Sequence, residues 1–573
     1  MNQFKYITLG LLLLTACAQT PGRQPAEDAV DAHELSGEET RVLPNIELSD
    51  ELLYEFLLTE IASQRGSVAV AVQTSSDLAK KTRDPRLAMR AAQLALQSGQ
   101  MDKAIEALKV WREVEPDSPM ALRMYSSALL RNGRLDEARQ ELGNVLKADP
   151  ANAGQIFYQI YQMLSPYPDK DAALKLMLEL AQPYPGVAEA HWAVAQLARA
   201  TGNGKLALDE ARLARKQRPD WDMAASLEAF LLQKSAPLQG LEVLRGYLSD
   251  YPDAHEVRLQ YARALLEQKR YQQAREEFQR LAEENPENPE TAFAIALISL
   301  QMKDYKGAED NLRQALSKGK KDQDTVRYYL GQLSEAKKSD DEAIEHFRQV
   351  KGGEYLFPAQ IRIAYLLSKH GKLAEALQQL RQLQAADDQQ RAQLISVESQ
   401  LLREANKLTE AYQVLQAGLL KLPDHPDLLY SAAMIADKLN KPDVFEQLMR
   451  KLIKIQPDHA HAYNALGYGL MERKVRIPEA LQLVEKALQL APDDPAIMDS
   501  VGWGYFLSGK MDESIKMLRR AFAGNPDPEI AAHLGEVLWM RGEKTEARKI
   551  WQESLDANPD NAILQAVIKK FMP

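Results

Sequence analysis

Residues His461 to Pro559 read HAYNALGYGLMERKVRIPEALQLVEKALQLAP, then DDPAIMDSVGWGYFLSGKMDESIKMLRRAFAGNP, then DPEIAAHLGEVLWMRGEKTEARKIWQESLDANP. Pro457, Pro492, Pro526 and Pro559 divide the stretch into units of 35, 34 and 33 residues. In each unit a glycine (Gly467, Gly502, Gly535) follows the proline by 9 or 10 residues, and a small residue (Ala480, Ser514, Ala547) follows 12 or 13 later. Small side chains at both points let two antiparallel helices cross with their axes roughly 8–10 Å apart. A larger residue one turn on, Leu518 here and Phe278 and Phe347 upstream, fills the space beside the crossing. The proline stops the second helix, because it lacks an N–H and clashes with the preceding turn. One such pair cannot bury its own apolar face, so pairs must stack.

This pattern resembles the tetratricopeptide repeat, with a period of ~34, small residues at unit positions 8 and 20, and proline near 32. The resemblance implies an all-α solenoid, a right-handed superhelix of antiparallel helix pairs. Upstream the small pairs run Ala92/Ala104, Ser126/Ala138, Ala195/Ala207, Ala262/Ala274, Ala296/Ala308, Gly331/Ala343, Ala364/Ala376 and Ser399/Ala411. Two units depart from the pattern and are expected to bend the array: Ile160/Ala172, interrupted by SPYPD, and Ala229/Leu241, with Pro237 at its turn. Polar connectors replace the proline at 317–324 and 385–390. About 14 repeats are expected over residues 85–560, with a capping helix in 561–573.

The chain has 573 residues, 45% of them hydrophobic, enough for a continuous core. Its net charge of −10 and the lack of a basic stripe exclude a nucleic-acid binder. Cys17 is the single cysteine, which excludes a disulfide framework and a thiolate metal site.

That cysteine ends the leader MNQFKYITLGLLLLTAC, whose apolar run is too short to span a bilayer and reads as the core of a secretion signal. An ordinary signal peptide with a chance cysteine is one reading. Leu14-Thr15-Ala16-Cys17, however, resembles the lipobox of bacterial lipoproteins. That resemblance implies a signal peptide over 1–16 and an acylated, membrane-anchored Cys17 as the mature N-terminus. Ala18 stands where inner-membrane retention usually favours Asp, so the implied location is the periplasmic face of the outer membrane. Residues 17–48 carry proline, glycine and acids without periodicity and read as a flexible tether.

Order is expected from Ser49, a helix cap followed by Asp50 and Glu51 at the positive helix end. Leu52, Leu53, Phe56, Leu57, Leu58 and Ile61 then make this helix apolar on more than one face. Residues 49–84 are therefore either a worn first repeat or a docking element, and the two readings are compatible.

No catalytic constellation emerges. No HExxH, HxxEH or GxSxG motif occurs, and His425 and His459 hold the same place in successive units, as turn residues do. Gly504 to Lys510 matches GxxxxGK, but Met511 replaces the Ser/Thr that holds magnesium, and the match spans a helix end and a turn. No catalytic residue, metal ligand or cofactor is assigned.

A groove is the remaining candidate. In tetratricopeptide-repeat proteins the first helix of each pair lines the concave side, mainly through unit positions 2, 5, 9, 12 and 13. Carried over by residue, the central groove is polar: Arg263, Glu267, Gln332, Glu335, Gln400, Arg403 and Glu404. The C-terminal part is apolar: Tyr430, Met434, Tyr468, Met471, Trp503, Phe506, Leu507, Trp539 and Met540. These residues form either an adaptable protein-binding surface or part of the core. Arg123 alone resembles one half of a carboxylate clamp, and no clamp is assigned.

Lipobox, acidic tether and chain-length array together resemble the outer-membrane tetratricopeptide-repeat lipoproteins of Gram-negative bacteria. NALGYGL, EALQLVEKAL and APDDPAIMDSVGWGYF carry the likeness most specifically. The nearest resemblance is to lipoproteins that partner a periplasmic carboxyl-terminal processing protease. It implies a non-enzymatic adaptor whose partners are that serine protease and its peptidoglycan-hydrolase substrates. The protease is expected on Leu52, Leu53, Phe56, Leu57 and Ile61, and the substrates on the C-terminal aromatic groove. A structural lipoprotein of an envelope machine, in polysaccharide export or secretin assembly, is the alternative.

Overall fold

The computed structural model describes residues 44–572. Cys17, the leader and the tether up to residue 43 lie outside the described residues.

The fold is all-α. Among the described residues 31 α-helices follow one another with no strand between them. They fall into two compact units, one ending at Lys320 and the other beginning at Lys321. The first unit runs from helix Asp50–Gln64 to helix Tyr305–Ser317, and the second from Gln323–Ala336 to the final helix Ala562–Phe571. No described helix is long and apolar enough to cross a membrane.

The small residues sit where the repeat arithmetic puts them. Ala92, Ala104, Ser126, Ala138, Ala262, Ala274, Ala296 and Ala308 are all buried, as are Ala480, Ser514 and Ala547. A Cβ added at Gly502 would lie 2.6 Å from Leu518 Cγ, and one at Gly535 only 2.0 Å from the Trp551 indole nitrogen. At Gly331 the intruder would meet Phe347 at 2.5 Å. The larger residue one turn past the crossing therefore fills the volume that the missing side chain leaves free.

The two irregular units are corrected in register. In one, Ala173 rather than Ala172 is the fully buried small residue of the second helix. In the other, Gly240 rather than Leu241 makes the crossing: a Cβ there would stand 3.0 Å from the Ala229 carbonyl oxygen. Pro237 opens helix Pro237–Asp250 at its first turn, where a missing N–H costs nothing.

Turns within pairs share one backbone device. The second residue after the first helix lies in the left-handed region, at φ 72° for Gly99, 71° for Gly133 and 77° for Gly509. Lys269, Lys303, Lys338, Asn406, Asn440 and Lys474 adopt the same conformation with a side chain in place, at φ 53° to 63°.

The first helix is capped by Ser49, whose hydroxyl accepts from the Leu52 N–H at 3.2 Å. Helix Asp50–Gln64 pairs with Val68–Thr82 through its small residues. Thr59 and Ala62 are buried, and Thr59 Oγ1 donates to Thr74 Oγ1 at 2.7 Å. Lys81 bridges back to Glu51 at 2.9 Å and to Glu55 at 2.5 Å. The final helix closes the other end, with Leu564 buried and Phe571 stacked on Trp551 at 5.8 Å.

Candidate protein-binding surfaces

On helix Asp50–Gln64 the packing face is small and the open face is large. Leu53, Phe56, Leu57 and Ile61 are exposed, Leu52 is half-buried, and Leu48 and Tyr54 add 68% and 65% exposed side chains nearby. Spacings of three, four and eight residues put Leu53, Phe56, Leu57 and Ile61 on one stripe. A solvated helix normally carries polar groups there. The ion pairs of Lys81 hold this helix against its partner without covering the stripe.

In the second unit the sequence-assigned aromatic residues divide into three groups. Tyr468, Trp503 and Phe506 are half-buried and converge on His533. Trp503 lies on the His533 ring with centroids 4.4 Å apart and planes 22° apart, and Phe506 flanks Trp503 at 5.1 Å. Tyr468 stands 6.1 Å from His533 and donates its hydroxyl to Glu529 Oε1 at 2.8 Å. One pair upstream, Tyr430 stacks on His459 at 5.6 Å beside half-buried Met434.

Met471 does not belong to this surface. It is 1% exposed, and its methyl fills the space over Gly504, where an added Cβ would come within 2.5 Å. Trp539 belongs to the capped end. It stacks on Trp551 at 5.7 Å and touches Phe571 at 5.9 Å, with Lys544 and Arg548 over its ring at 5.2 and 5.4 Å. Leu507 is half-buried, and Met540 is exposed.

Sequence reasoning missed the polar centre of this surface. His533 Nδ1 and Asp499 Oδ2 lie 2.9 Å apart with both side chains largely buried. Burial opposes the charged imidazole, but the Asp499 carboxylate outweighs it and the His533 pKa is raised. Burial raises the Tyr468 hydroxyl, and the Glu529 carboxylate reinforces the shift. Desolvation, with the nearby Asp437 and Glu529 charges, pushes the Glu472 carboxyl up. Aromatic faces ringed by carboxylates suit a ligand that is apolar with a basic edge. Asp499 and His533 are 34 residues apart, on the first helices of successive pairs.

Several polar groove positions are held by neighbouring side chains, whereas two guanidinium nitrogens of Arg263 are buried without a partner. Arg362 pairs with Glu335, and Gln233 donates to Glu267. Tyr365 donates to Gln400 at 2.8 Å. Among the described residues no group of three or more His, Cys, Asp or Glu is placed to hold a metal ion. Gly504 and Gly509 of the GxxxxGK match lie in helix Pro495–Leu507 and the turn after it, with no strand before them among the described residues.

Comparison with known proteins agrees with the architecture. Models described as tetratricopeptide repeat match residues 89–153, 231–298, 293–355 and 502–562. A TPR repeat-containing protein of Pseudomonas aeruginosa is 32% identical, over 94% of this chain and 90% of its own. Cellulose synthase operon protein C of Pseudomonas fluorescens is 23% identical over 47% of this chain and 22% of its own. Among solved structures, a tetratricopeptide repeat protein from Parabacteroides merdae covers 50% of this chain at 15% identity and a TM-score of 0.33. The repeat spacing, the crossings built on small residues and the full-length relative lead to one assignment: the chain belongs to the tetratricopeptide-repeat protein family.

Proposed function

We propose that this chain is a scaffold, lipid-anchored through Cys17 at the periplasmic face of the outer membrane, with no chemistry of its own. It binds a carboxyl-terminal processing serine protease and presents peptidoglycan hydrolases to it. The observation that carries the reading is the exposed apolar stripe Leu53, Phe56, Leu57 and Ile61 on a helix already paired through its other face. At ~25 cal/mol per Å², covering such a stripe supplies several kcal/mol before ordering costs. An adaptor needs two surfaces that do not compete, and the Trp503–His533 surface is the second. The protease is assigned to the stripe and the hydrolases to the aromatic surface.

Co-purification from envelope extracts with the full-length chain as bait tests the proposal. A serine protease together with cell-wall hydrolases is the expected result. The part-length likeness to cellulose synthase operon protein C favours a second reading, a structural subunit of an export machine. Recovery of export or secretin subunits without a protease would establish that reading instead.

A further inference from the structure

A groove of about 1070 Å³ opens in the first unit between helices Pro119–Arg131 and Ala153–Leu164 and the loop that follows. That loop is the SPYPD stretch at which the repeat pattern breaks. Residues 165–169 join helix Ala153–Leu164 to helix Lys170–Ala181, a longer link than residues 132–134, which join the preceding pair. The extra length puts Tyr167 on the groove wall between Pro166 and Pro168, and all three line it. The prolines fix φ on either side of the tyrosine. Its N–H donates to the Leu164 carbonyl at 3.0 Å, and Lys170 Nζ donates to the Ser165 carbonyl at 2.7 Å. Tyr167 is thus held in place before any ligand arrives.

A second ring, Tyr158, lines the same groove. Trp192, itself 3% exposed, backs it with ring centroids 5.7 Å apart and planes 33° apart. Counted from Gln155, Tyr158, Gln159 and Gln162 lie three, four and seven residues on, so the four share one helix face. Neither tyrosine hydroxyl and none of the three amides has a hydrogen-bond partner among the described residues. Arg123 and Arg131, on helix Pro119–Arg131, are also unpaired, as are Arg263 and Arg403 elsewhere. The arginines therefore charge the groove without singling it out. Two fixed aromatic rings beside a stripe of unbonded amides do single it out.

We infer that this groove is a binding site for a carboxylated oligosaccharide, whatever proteins the rest of the chain recruits. A pyranose is apolar across its C–H face and polar around its edge. A tyrosine ring takes the C–H face, because the ring is apolar and its π cloud is negative. Each hydroxyl at the edge both donates and accepts, and a glutamine amide meets both needs at once. The stripe from Gln155 to Gln162 runs ~10 Å along the helix, about the length of a disaccharide. Carboxylates on the sugars meet Arg123 and Arg131 in charge-assisted hydrogen bonds. A peptide could bond the amides through its backbone, but it offers no flat apolar face to each of two fixed rings. Two sources present this chemistry: wall glycans that carry muramic acid, and exported polysaccharides that carry uronic acids.

The test is isothermal titration calorimetry with the full-length chain in detergent. Three tetrasaccharides are the probes: alternating N-acetylglucosamine and N-acetylmuramic acid, a guluronate tetramer, and a neutral N-acetylglucosamine tetramer. At least one acidic probe is expected to bind at least tenfold more tightly than the neutral one. Tighter binding of the muramic probe identifies a wall glycan as the source, and tighter binding of the guluronate an exported polysaccharide. Tyr167→Ala should lower the affinity of the better acidic probe at least tenfold with the melting temperature unchanged. Tyr167→Phe, which keeps the ring, should retain most of the affinity. Gln159→Ala with Gln162→Ala reads the same site without touching the loop and should lower affinity several-fold. Failure of both acidic probes to bind, or unchanged binding by the folded tyrosine and glutamine variants, overturns the inference. A glutamate-containing decapeptide that displaces the acidic sugar at lower concentration than the sugar itself would also overturn it, and make the groove a peptide site.

Discussion

Trp503 lies flat on His533, 4.4 Å away with ring planes 22° apart, while Asp499 holds the other side of the same imidazole at 2.9 Å. The aromatic surface of the second unit is therefore built around a buried charge pair. Charge and apolar area are coupled there, because loss of the imidazolium weakens the Asp499 contact that fixes the ring under Trp503.

Stability should follow the titration of His533. Its folded pKa is raised above the ordinary histidine value of ~6.5. The protonated pair thus contributes fully below the unfolded pKa, and its contribution is lost as pH rises through the folded pKa. Melting temperature is expected to fall across that interval in the native chain. In His533→Gln that fall should be absent. Asp499→Ala should cost about 3–5 kcal/mol at pH 6, as expected when one partner of a buried pair is removed.

Binding and stability should separate among residues that share a sequence pattern. Trp503→Ala and Phe506→Ala are expected to weaken protein-substrate binding by about 2 kcal/mol. Met471→Ala should leave binding intact and cost about 2–5 kcal/mol of stability. Trp539→Ala, which uncovers Trp551 and Phe571, should cost about 3–5 kcal/mol. Titration calorimetry against a hydrolase partner, with parallel melting curves, reads both quantities. A Met471→Ala variant of native stability would return that residue to the surface.

Much of the architecture was legible because it rests on absent side chains. Gly502, Gly535 and Gly331 stand against Leu518, Trp551 and Phe347, and a crossing that tight tolerates few residue types. The pattern failed where the chain solved the same problem one residue away, with Ala173 for Ala172 and Gly240 for Leu241. Met471 was misplaced for a related reason: the space it fills is created by Gly504 in the next pair, which no reading of its own unit shows. Asp499 and His533 went unseen because a polar residue on a helix reads as solvated until the neighbouring pair is packed against it.

The left-handed lysines were invisible for another reason, since lysine has no preference for that conformation. Lys303 sits at φ 59°, in the place that Gly99, Gly133 and Gly509 hold in other turns. A left-handed backbone costs a residue with a side chain about 1–2 kcal/mol. Glycine loses more chain entropy on folding, which offsets ~0.5–1 kcal/mol of that. Lys303→Gly is therefore expected to raise stability by about 0.5–1 kcal/mol in denaturant titration. A loss of stability would mean that the lysine side chain makes a compensating contact.

The scaffold reading stands or falls on the stripe of helix Asp50–Gln64. Leu53, Leu57 and Ile61 are exposed, so replacing all three with serine should leave the fold unchanged, as surface substitutions usually do. The decisive measurement is the turnover of a purified peptidoglycan hydrolase by the purified protease, with native chain or the triple variant added, alongside direct hydrolase binding. The account predicts that the variant binds the hydrolase normally and no longer accelerates its cleavage. Full acceleration by the variant would contradict it, and residues 49–84 would then be the first pair of the array and nothing more.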